Sequence, residues 1–261
     1  MPTDRFDKQA AALIDRSYQT PEIVNQRLRS LAALALARGE SVLDAGCGTG
    51  LLLEQQALAV GAEGRAEGLD YSDDMLAQAR HRCADLPQVG CHQGSVEALP
   101  FDDASFDALS CVQCLLYVDD LQAALTEFHR VLRPGGRIAV LETDWTGAIL
   151  NSHDQALTRR IFDAWDLACR NPNLPKRLRP LLNGLGFGAL RVEAIPVLNA
   201  GYCENSFSAR MLENFAAAAR KRQIISADES RAWLDGIDAL IRDDAYFFCV
   251  NRFLFTAVKQ R

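Results

Sequence analysis

The sequence lacks several features that would assign the protein to a special class. No apolar run approaches the roughly 18 residues that a membrane span requires. The N-terminal stretch MPTDRFDKQA has no basic segment followed by an apolar one, which a secretory signal would show. There is no basic surplus, because 28 Lys and Arg residues stand against 34 Asp and Glu residues. These absences predict a cytoplasmic protein that binds neither a membrane nor nucleic acid.

The cysteines are numerous for a chain without a disulfide or metal pattern. Eight cysteines in 261 residues, with no secretion signal, favour reduced thiols. Cys111 and Cys114 form a C-x-x-C pair, which raises the question of zinc or redox chemistry. A zinc site needs two further ligands at suitable spacing, and no second pair follows. We therefore expect packing thiols and no metal.

The order of apolar runs predicts an α/β fold with a mostly parallel sheet. Short apolar runs alternate with amphipathic stretches along most of the chain, as in repeated βαβ units. No strand is expected between 143 and 180. The predicted strands are 41–44, 66–70, 89–94, 106–112, 137–142, 190–197 and 246–258, and the predicted helices are 51–60, 73–83, 121–132, 154–169, 177–185, 206–222 and 228–242.

A glycine-rich turn follows the first predicted strand. It reads Val-Leu-Asp-Ala-Gly-Cys-Gly-Thr-Gly over 42–50. Glycines at such a turn let the backbone approach a ligand, and the next helix offers free N–H groups. Asp70 comes 20 residues after Gly50, at the end of the second strand, where a carboxylate can accept both hydroxyls of a ribose. A plain tight turn is the alternative. The combination favours an adenosine-containing cofactor.

The carboxylate before the glycines distinguishes between two kinds of cofactor. Asp44 would face the pyrophosphate of a dinucleotide, which is electrostatically unfavourable. The glycine spacing also differs from the Gly-x-Gly-x-x-Gly of dinucleotide sites. S-adenosylmethionine carries an ammonium and a sulfonium and no phosphate, so it suits Asp44 better than NAD(P).

Four segments resemble the class I S-adenosylmethionine-dependent methyltransferases, and most closely the type 11 group related to ubiquinone and menaquinone C-methyltransferases. They are VLDAGCGTG at 42–50, GLDYSDDMLAQAR at 68–80, GSVEALPFDDASFDAL at 94–109 and EFHRVLRPGGRIAVLETD at 127–144. The segment RPLLNGLGFGALRV at 179–192 is also similar to that group.

The resemblance implies a Rossmann-like, seven-stranded, mostly parallel sheet with an antiparallel last strand, flanked by helices. On this basis the chain is predicted to be one methyltransferase domain over 1–261. Residues 1–40 would form N-terminal helices or a lid, 41–144 the cofactor-binding core, and 145–185 and 205–245 helical insertions that cap the substrate.

The resemblance also implies which residues hold S-adenosylmethionine and its product S-adenosylhomocysteine. Asp44 and the turn would hold the methionine part, Asp70 the ribose, and residues after the second and third strands the adenine. Family members usually have Gly-Asp-Ala where this chain has Gly94-Ser95-Val96, which predicts a weaker contact with the adenine amino group. The predicted cofactor residues are Asp44, Gly46, Cys47, Gly48, Gly50, Asp70, Tyr71, Met75, Ser95, Val96, Gln113 and, from the N-terminal lid, Tyr18.

Methyl transfer needs alignment and desolvation, and with a hydroxyl acceptor also a base. His153 is the best base candidate among the four histidines. The alternative is that His153 only stands at the start of a helix and has no catalytic role. Tyr117, Asp144 and Trp145 follow the fourth and fifth strands and are predicted to contact the substrate. Glu142 and Asp144 could each be a base, an amine-binding carboxylate or a cap. Trp165 is expected to be a core residue, and Phe207 belongs either to a stripe that caps the substrate or to the buried face of its helix, which the helical period favours.

These inferences predict a methyltransferase that acts on a small molecule. The alternatives are a protein of the same fold that binds S-adenosylmethionine without methyl transfer, an NAD(P)-dependent oxidoreductase, and a protein or RNA methyltransferase. The last is disfavoured because Cys-Val-Gln-Cys, not an Asn-Pro-Pro-Tyr type motif, follows the fourth strand at 111–114. The expected partner is the small-molecule substrate, and a homodimer is left open.

Overall fold

The computed structural model describes residues 7–167 and 169–260. The first six residues of the predicted lid, and one residue of the first predicted insertion, therefore lie outside the described residues. In chain order the elements are α1 Lys8–Ser17, α2 Pro21–Leu34, β1 Ser41–Ala45, α3 Leu51–Val60, β2 Arg65–Asp70, α4 Asp73–Arg82, β3 Val89–Gln93, β4 Phe106–Val112, α5 Leu121–Val131, β5 Leu132–Thr143, β6 Ile149–Leu150, α6 Gln155–Asp166, α7 Pro175–Gly184, β7 Phe187–Ala200, α8 Phe207–Lys221, α9 Ala227–Arg242 and β8 Phe247–Lys259.

One mixed sheet organises these elements. Its strands run in the order β3-β2-β1-β4-β5-β8, and β7 pairs with the far side of β8. The strands β1 to β5 are parallel, whereas β8 is antiparallel to both of its long neighbours. The predicted mostly parallel sheet with an antiparallel last strand is confirmed.

An eighth strand was not predicted. β6 has only two residues, and it pairs with the same side of β8 as β5 does, at Cys249 and Phe248. So short a segment carries no alternation that a sequence pattern could reveal.

The strand β5 also begins earlier than predicted. It was expected to begin at Arg137, but Leu132 already pairs with Phe106 of β4. The register shifts between that pair and the next, Ala108 with Arg137, and Gly135 adopts a φ of 83° within the extra residues. The Arg-Pro-Gly-Gly stretch is therefore an irregularity within a strand, not only a turn before it.

Side-chain caps start several of the helices around the sheet. The side chains of Ser72, Asp120 and Asp154 accept backbone N–H groups at the beginnings of α4, α5 and α6. Ser226 and Glu229 form a reciprocal capping box at the start of α9. These caps fix where each helix leaves the sheet and hence the loops at the carboxyl ends of the parallel strands. Within the described ranges, no helix has the length and apolar character needed to cross a membrane.

Candidate active site

A cavity of about 830 Å³ opens at the carboxyl ends of β1, β2 and β4. The loops after these strands form its floor, and residues of α1, α2 and α8 form its walls. Open α/β sheets bind ligands at this edge, where neighbouring helices leave in opposite directions. The volume lies within the roughly 300–1,000 Å³ typical of small-molecule sites.

Two glycines of the turn, Gly46 and Gly48, line the cavity but have different surroundings. Gly46 lines the cavity with a φ of 79°, and a Cβ there would approach the Sγ of Cys114 to 2.5 Å. Gly48 also lines the cavity, but a Cβ there would meet no atom within 4 Å. The turn is therefore closed on one side by Cys114 and open to a ligand at Gly48.

Gly50 does not belong to the cavity wall. It lies at the start of α3, where a Cβ would approach the backbone of Ala79 to 2.9 Å. The structure therefore places Gly50 where α3 packs against α4 and not on the cavity wall, and its predicted cofactor contact stays a prediction. The spacing of the glycines could not separate a ligand contact from a helix contact.

Asp44 is buried at the end of β1 and has one side-chain donor. Ser110 Oγ donates to Asp44 Oδ1 over 2.5 Å, and Gln56 Nε2 donates to Ser110 Oγ over 2.7 Å. Burial raises the pKa of Asp44 to about 7, and the hydrogen bond from Ser110 only partly offsets this shift. The carboxylate lines the cavity and is suited to a cationic ligand, which would stabilise its charged form.

Asp70 holds the glycine turn and the loop after β2 together. The backbone N–H groups of Gly48 and Ser72 donate to its Oδ2 and Oδ1, each over 2.9 Å. Burial raises its pKa, although these backbone donors oppose the shift. A carboxylate accepts about four hydrogen bonds, so Asp70 keeps acceptor capacity for hydroxyl groups in the cavity.

Four further predicted cofactor residues line the same part of the cavity, namely Tyr71, Met75, Ser95 and Val96. Met75 and Val96 are buried, while Tyr71 and Ser95 are partly exposed. The Ser95 hydroxyl oxygen accepts the backbone N–H of Glu97 over 3.1 Å. This wall therefore offers mainly apolar contact to a planar ring.

The helix α1 is tied to the glycine turn by one carboxylate. Asp15 Oδ1 accepts from the Thr49 hydroxyl over 2.8 Å and from Arg82 Nη2 over 2.6 Å. Arg82 also donates to the carbonyl of Thr49 over 3.0 Å. Tyr18, at the end of α1, lines the cavity. The described part of the N-terminal segment thus contacts the glycine turn, and its role as a lid stays a prediction.

Gln113 adopts a backbone conformation that is uncommon for a residue with a side chain. Its φ is 55°, its Oε1 accepts from the Thr143 hydroxyl over 2.6 Å, and its Nε2 donates to the Leu141 carbonyl over 3.3 Å. The residue lines the cavity between the glycine turn and the loop after β5. Such a conformation persists where the surroundings fix it, and it is common at binding sites.

Aromatic side chains form the other end of the cavity. Tyr117, Trp145, Trp165 and Phe207 all line it. The Trp145 and Trp165 rings are 5.8 Å apart, and each packs edge-on against Phe215, at 5.5 and 5.0 Å. Tyr117 and Trp145, the predicted substrate contacts, both line the cavity, while Trp165 and Phe207 line it and also pack with the hydrophobic core. The cavity is therefore wider toward α6 and α8 than the sequence indicated.

Two predicted residues are outside this cavity. His153 is exposed and faces α9, with its Cδ2 3.9 Å from where a Cβ on Gly236 would lie. Asp144 instead caps the short turn after β5, accepting from the backbone N–H of Thr146, and pairs with Lys176 at 3.0 Å. Neither lines the cavity, so the structure does not bring the predicted base His153 or the predicted substrate contact Asp144 to this site, and both roles stay predictions.

Glu142 is likewise engaged within the protein. Its Oε1 accepts the backbone N–H groups of Cys114 and Leu115, at 3.2 and 2.8 Å. Burial raises the pKa of Glu142 to about 8, so the carboxyl is mostly protonated at neutral pH. It fixes the loop after β4 and does not line the cavity.

The cysteines near the site form no disulfide. All eight are free thiols, and Cys47 and Cys114 line the cavity while Cys111 is buried behind it. Burial raises the pKa of Cys47 and of Cys111 well above the usual range, which keeps both thiols protonated. In the described part of the chain no three His, Cys, Asp or Glu side chains are grouped as metal ligands.

Arg252 is a site residue that the sequence analysis missed. It comes from β8, is 1% exposed, lines the cavity and donates a hydrogen bond to the side chain of Gln26 in α2. One charged residue in the apolar run Phe-Phe-Cys-Val-Asn-Arg-Phe-Leu-Phe over 247–255 was the available signal. A strand that buries an arginine has to provide it with partners or a ligand.

Sequence comparisons match part of the chain, including the segment from β1 to β5. A family model described as a methyltransferase domain, of the type 11 group, matches residues 43–140. The chain is 38% identical over 169 residues to an uncharacterized 37.1 kDa protein in transposon TN4556 of Streptomyces fradiae, covering 63% of this chain and 48% of that protein. It is 38% identical over 117 residues to a demethylmenaquinone methyltransferase of Staphylococcus epidermidis, covering 45% and 48%.

A third relative is a 2-phytyl-1,4-naphtoquinone methyltransferase of Thermosynechococcus vestitus, 38% identical over 134 residues, or 51% of this chain and 56% of that one. The chain thus spans about half the length of these curated relatives.

Solved structures match nearly the whole chain at low identity. YcgJ of Bacillus subtilis is 21% identical with a TM-score of 0.63, covering 90% of this chain and 99% of that one. Phosphoethanolamine N-methyltransferase 2 of Haemonchus contortus, in complex with S-adenosylhomocysteine, is 18% identical with a TM-score of 0.65, covering 98% and 58%. The [4+2]-cyclase SpnF is 23% identical with a TM-score of 0.59, covering 90% and 81%. Residues 43–140 thus match a methyltransferase domain in sequence, and the chain shares its fold with solved structures that include a methyltransferase.

Proposed function

We propose that the protein transfers the methyl group of S-adenosylmethionine to a small-molecule acceptor by in-line displacement. The observation that carries this proposal is the buried Asp44 beside an open glycine turn, at the edge of the sheet where ligands bind. The charge on Asp44 fits an ammonium and opposes a pyrophosphate. When bound, S-adenosylmethionine supplies a methyl group activated by a sulfonium.

The residues of the cavity fit the parts of this cofactor. Asp44 would hold the ammonium, and the open face at Gly48 would allow close approach of the methionine part, with Gly46, Cys47 and Gln113 beside it. Asp70, which keeps acceptor capacity, would hold the ribose hydroxyls. Because S-adenosylmethionine has no phosphate, the absence of basic residues in the turn is consistent with it.

The adenine would lie against the apolar wall that follows β2 and β3. Tyr71 and Met75 would contact the ring from one side, and Ser95 and Val96 from the other. The Ser95 hydroxyl donates to Glu97 Oε2 over 3.3 Å and accepts the backbone N–H of Glu97, which leaves its oxygen one further acceptor position for the ring. Tyr18 would cover the cofactor from α1, which excludes water from the reacting centre.

The aromatic end of the cavity supports a small acceptor. Tyr117 and Trp145 line it, and aromatic faces attract a sulfonium. Orientation of two reactants in such an enclosure contributes roughly 7–11 kcal/mol to a bimolecular reaction. Two relatives are named for quinone-type acceptors, and a structural neighbour was solved with a phosphorylated amine acceptor, all small molecules.

We also propose that the protein is cytoplasmic and that it is either a monomer or a homodimer. The eight free thiols, three of them at or next to the cavity, suit a reducing compartment. Fractionation of cells that express the tagged protein, and light scattering of the purified protein, test the two statements separately.

The direct test is calorimetric titration of the purified protein with S-adenosylmethionine, S-adenosylhomocysteine and NADH. We expect micromolar binding of the first two and none of NADH. Binding of NADH alone would overturn the cofactor assignment and would favour an NAD(P)-dependent oxidoreductase. Because SpnF shares the fold and is named as a cyclase, an acceptor screen with mass detection must follow. A product heavier by one methylene supports transfer, and cofactor binding with no methylated product in any acceptor class favours the non-transferring alternative.

A further inference from the structure

A charged residue is buried where the aromatic end of the cavity meets β8. Arg252 lies opposite Thr143 of β5 and is 1% exposed, yet it lines the cavity. Burial lowers the pKa of its guanidinium, but an arginine in a protein remains protonated at neutral pH. The sheet therefore presents a fixed positive charge to whatever occupies this end.

The protein only partly compensates for that charge. One Nη of Arg252 donates to Oε1 of Gln26, whereas its Nε is buried without a hydrogen-bond partner. The guanidinium lies 4.9 Å from the ring centre of Phe207 and 5.9 Å from that of Tyr18. The ion pairs among the described residues include none with Arg252.

The nearby acid does not supply the missing anion. Glu142 influences Arg252 electrostatically, but no ion pair joins the two among the described residues, its Oε1 accepts two backbone N–H groups, and burial raises its pKa to about 8. A buried cation with a neutral amide as its hydrogen-bonded partner is costly unless a ligand supplies negative charge. The unpartnered Nε is consistent with such a ligand.

The surroundings indicate what else that ligand carries. Trp145, Trp165 and Met211 line the same end of the cavity, and Phe207 covers the guanidinium. An aromatic or aliphatic body would bury its surface against these side chains. A planar guanidinium matches carboxylate and phosphate oxygens in a forked geometry.

We propose that Arg252 binds an anionic oxygen group, a carboxylate or a phosphate, of an acceptor whose remaining body is aromatic or otherwise apolar. This inference rests on the proposed function, since it names the substrate class of the same cavity. The charges then orient the two ligands, with the cationic end of the cofactor at Asp44 and the anionic end of the acceptor at Arg252.

The test uses small probes of matched size. Benzoate, phenyl phosphate and benzamide are titrated into the complex with S-adenosylhomocysteine, and binding is followed by ligand-observed NMR. We expect at least one anion to bind about tenfold or more tightly than neutral benzamide, the factor that a charge-assisted hydrogen bond supplies. Whichever anion binds more tightly identifies the group as carboxylate or phosphate.

Variants assign that preference to one residue. Arg252→Met should abolish the preference for the anion while S-adenosylhomocysteine still binds, and Arg252→Lys should restore part of it, because an ammonium keeps the charge but not the fork. Arg160→Met is the control for loss of an arginine. Arg160 is not among the residues that line the cavity, and its Nη1 donates to Glu229 Oε1 over 2.7 Å. We expect that variant to keep the preference.

Four results would overturn the inference: equal binding of benzamide, no binding of either anion, a preference that survives in Arg252→Met, or loss of S-adenosylhomocysteine affinity in a folded Arg252→Met. The last would assign Arg252 to the cofactor carboxylate. The wild-type comparison needs no variant, so it decides the question even if Arg252→Met does not fold. Failure of the wild type to bind S-adenosylhomocysteine at all contradicts the proposed function instead, which separates the two failures.

Discussion

Ser110 and Asp44 are paired neighbours on β4 and β1, and the Ser110 hydroxyl donates to the buried Asp44 carboxylate over 2.5 Å. Gln56 Nε2 supports this contact by donating to Ser110 from α3. The donor keeps the carboxylate oriented toward the glycine turn but does not overcome its burial, since the pKa of Asp44 remains raised to about 7. Asp44 is therefore oriented before any cation arrives and gains its full charge when one does.

Replacement of Asp44 should weaken cofactor binding without unfolding the protein. Asp44→Asn keeps the size of the side chain and loses its charge. We expect the affinity for S-adenosylhomocysteine, which has an ammonium but no sulfonium, to fall by at least about tenfold, measured by calorimetry. Asp144→Asn makes the same chemical change at a carboxylate that pairs with Lys176 outside the cavity. It should leave the affinity unchanged, and equal losses in both variants would contradict the role of Asp44.

The raised pKa of Asp44 predicts a pH dependence of binding. A cationic group binds the charged carboxylate, so cofactor affinity should rise between pH 6 and pH 8, through the Asp44 pKa of about 7. Calorimetric titrations at three pH values would show this. In Asp44→Asn the rise should disappear, and a rise that persists there would mean that another group titrates.

Stability of the unliganded protein should change with pH in the opposite direction. The folded pKa values of Asp44 and Glu142, about 7 and about 8, lie above their ordinary values, so the folded state holds more protons than the unfolded one at intermediate pH. The contribution of these groups to the free energy of unfolding is therefore largest at acid pH and declines between about pH 4 and pH 8. Urea unfolding of wild type and Glu142→Gln across this range measures it. The variant should show a shallower decline, and an equally steep one would exclude Glu142.

The contact between α1 and the glycine turn should control how long a cofactor stays bound. Asp15→Ala removes the acceptor for both Thr49 and Arg82. Partly buried contacts of this kind contribute on the order of 1 kcal/mol, so we expect about a fivefold faster dissociation in stopped-flow measurements. Asp163→Ala, which breaks an exposed pair with Arg159, is the control. Unchanged dissociation in Asp15→Ala would mean that α1 does not retain the cofactor.

Two alanine substitutions in the turn should have different consequences. In Gly46→Ala the new Cβ would collide with Cys114 Sγ. The left-handed backbone conformation at this position would cost alanine a further ~1–2 kcal/mol. The free energy of unfolding, measured by chemical denaturation, should therefore fall. In Gly48→Ala the new Cβ meets no protein atom but projects toward the open cavity. That variant should lose less stability and more cofactor affinity. The reverse order would show that a ligand does not approach Gly48.

His153 offers a negative prediction. It is exposed and faces α9 instead of the cavity. His153→Ala should keep turnover and cofactor affinity within about twofold of wild type, the range expected for a surface substitution. A large loss of turnover with unchanged affinity would bring His153 back as a base and would require α6 and α9 to rearrange.

The cofactor half was predictable because its signals are local. The glycine turn, Asp44 and Asp70 lie within thirty residues of each other, and the adjacent parallel strands bring them to one edge of the sheet. Strand β4 and helix α3 have the bounds that the apolar pattern predicted, since each forms one compact run between turn residues. What the pattern could not tell was the side on which each glycine packs, as Gly50 shows.

The substrate half could not be predicted because its contacts join distant segments. Trp145, Trp165 and Phe207 come from three separate elements, and helical spacing alone does not separate a core face from a cavity wall. His153 was placed near the substrate because of its position after β5, but its side chain faces α9. Arg252 required knowledge that β8 lies beside β5 and beneath α2.

The position of β8 inside the sheet also has a consequence for folding. β8 is hydrogen-bonded to both β5 and β7, although α8 and α9 lie between β7 and β8 in the sequence. Pairings between segments so distant in sequence form slowly, because loop closure precedes the gain from contact. While the chain is being synthesised, the edge of β5 therefore stays unpaired at least until β8 emerges. An exposed apolar edge of this kind can recruit other strands, so the yield of folded protein should depend on how quickly β8 becomes available.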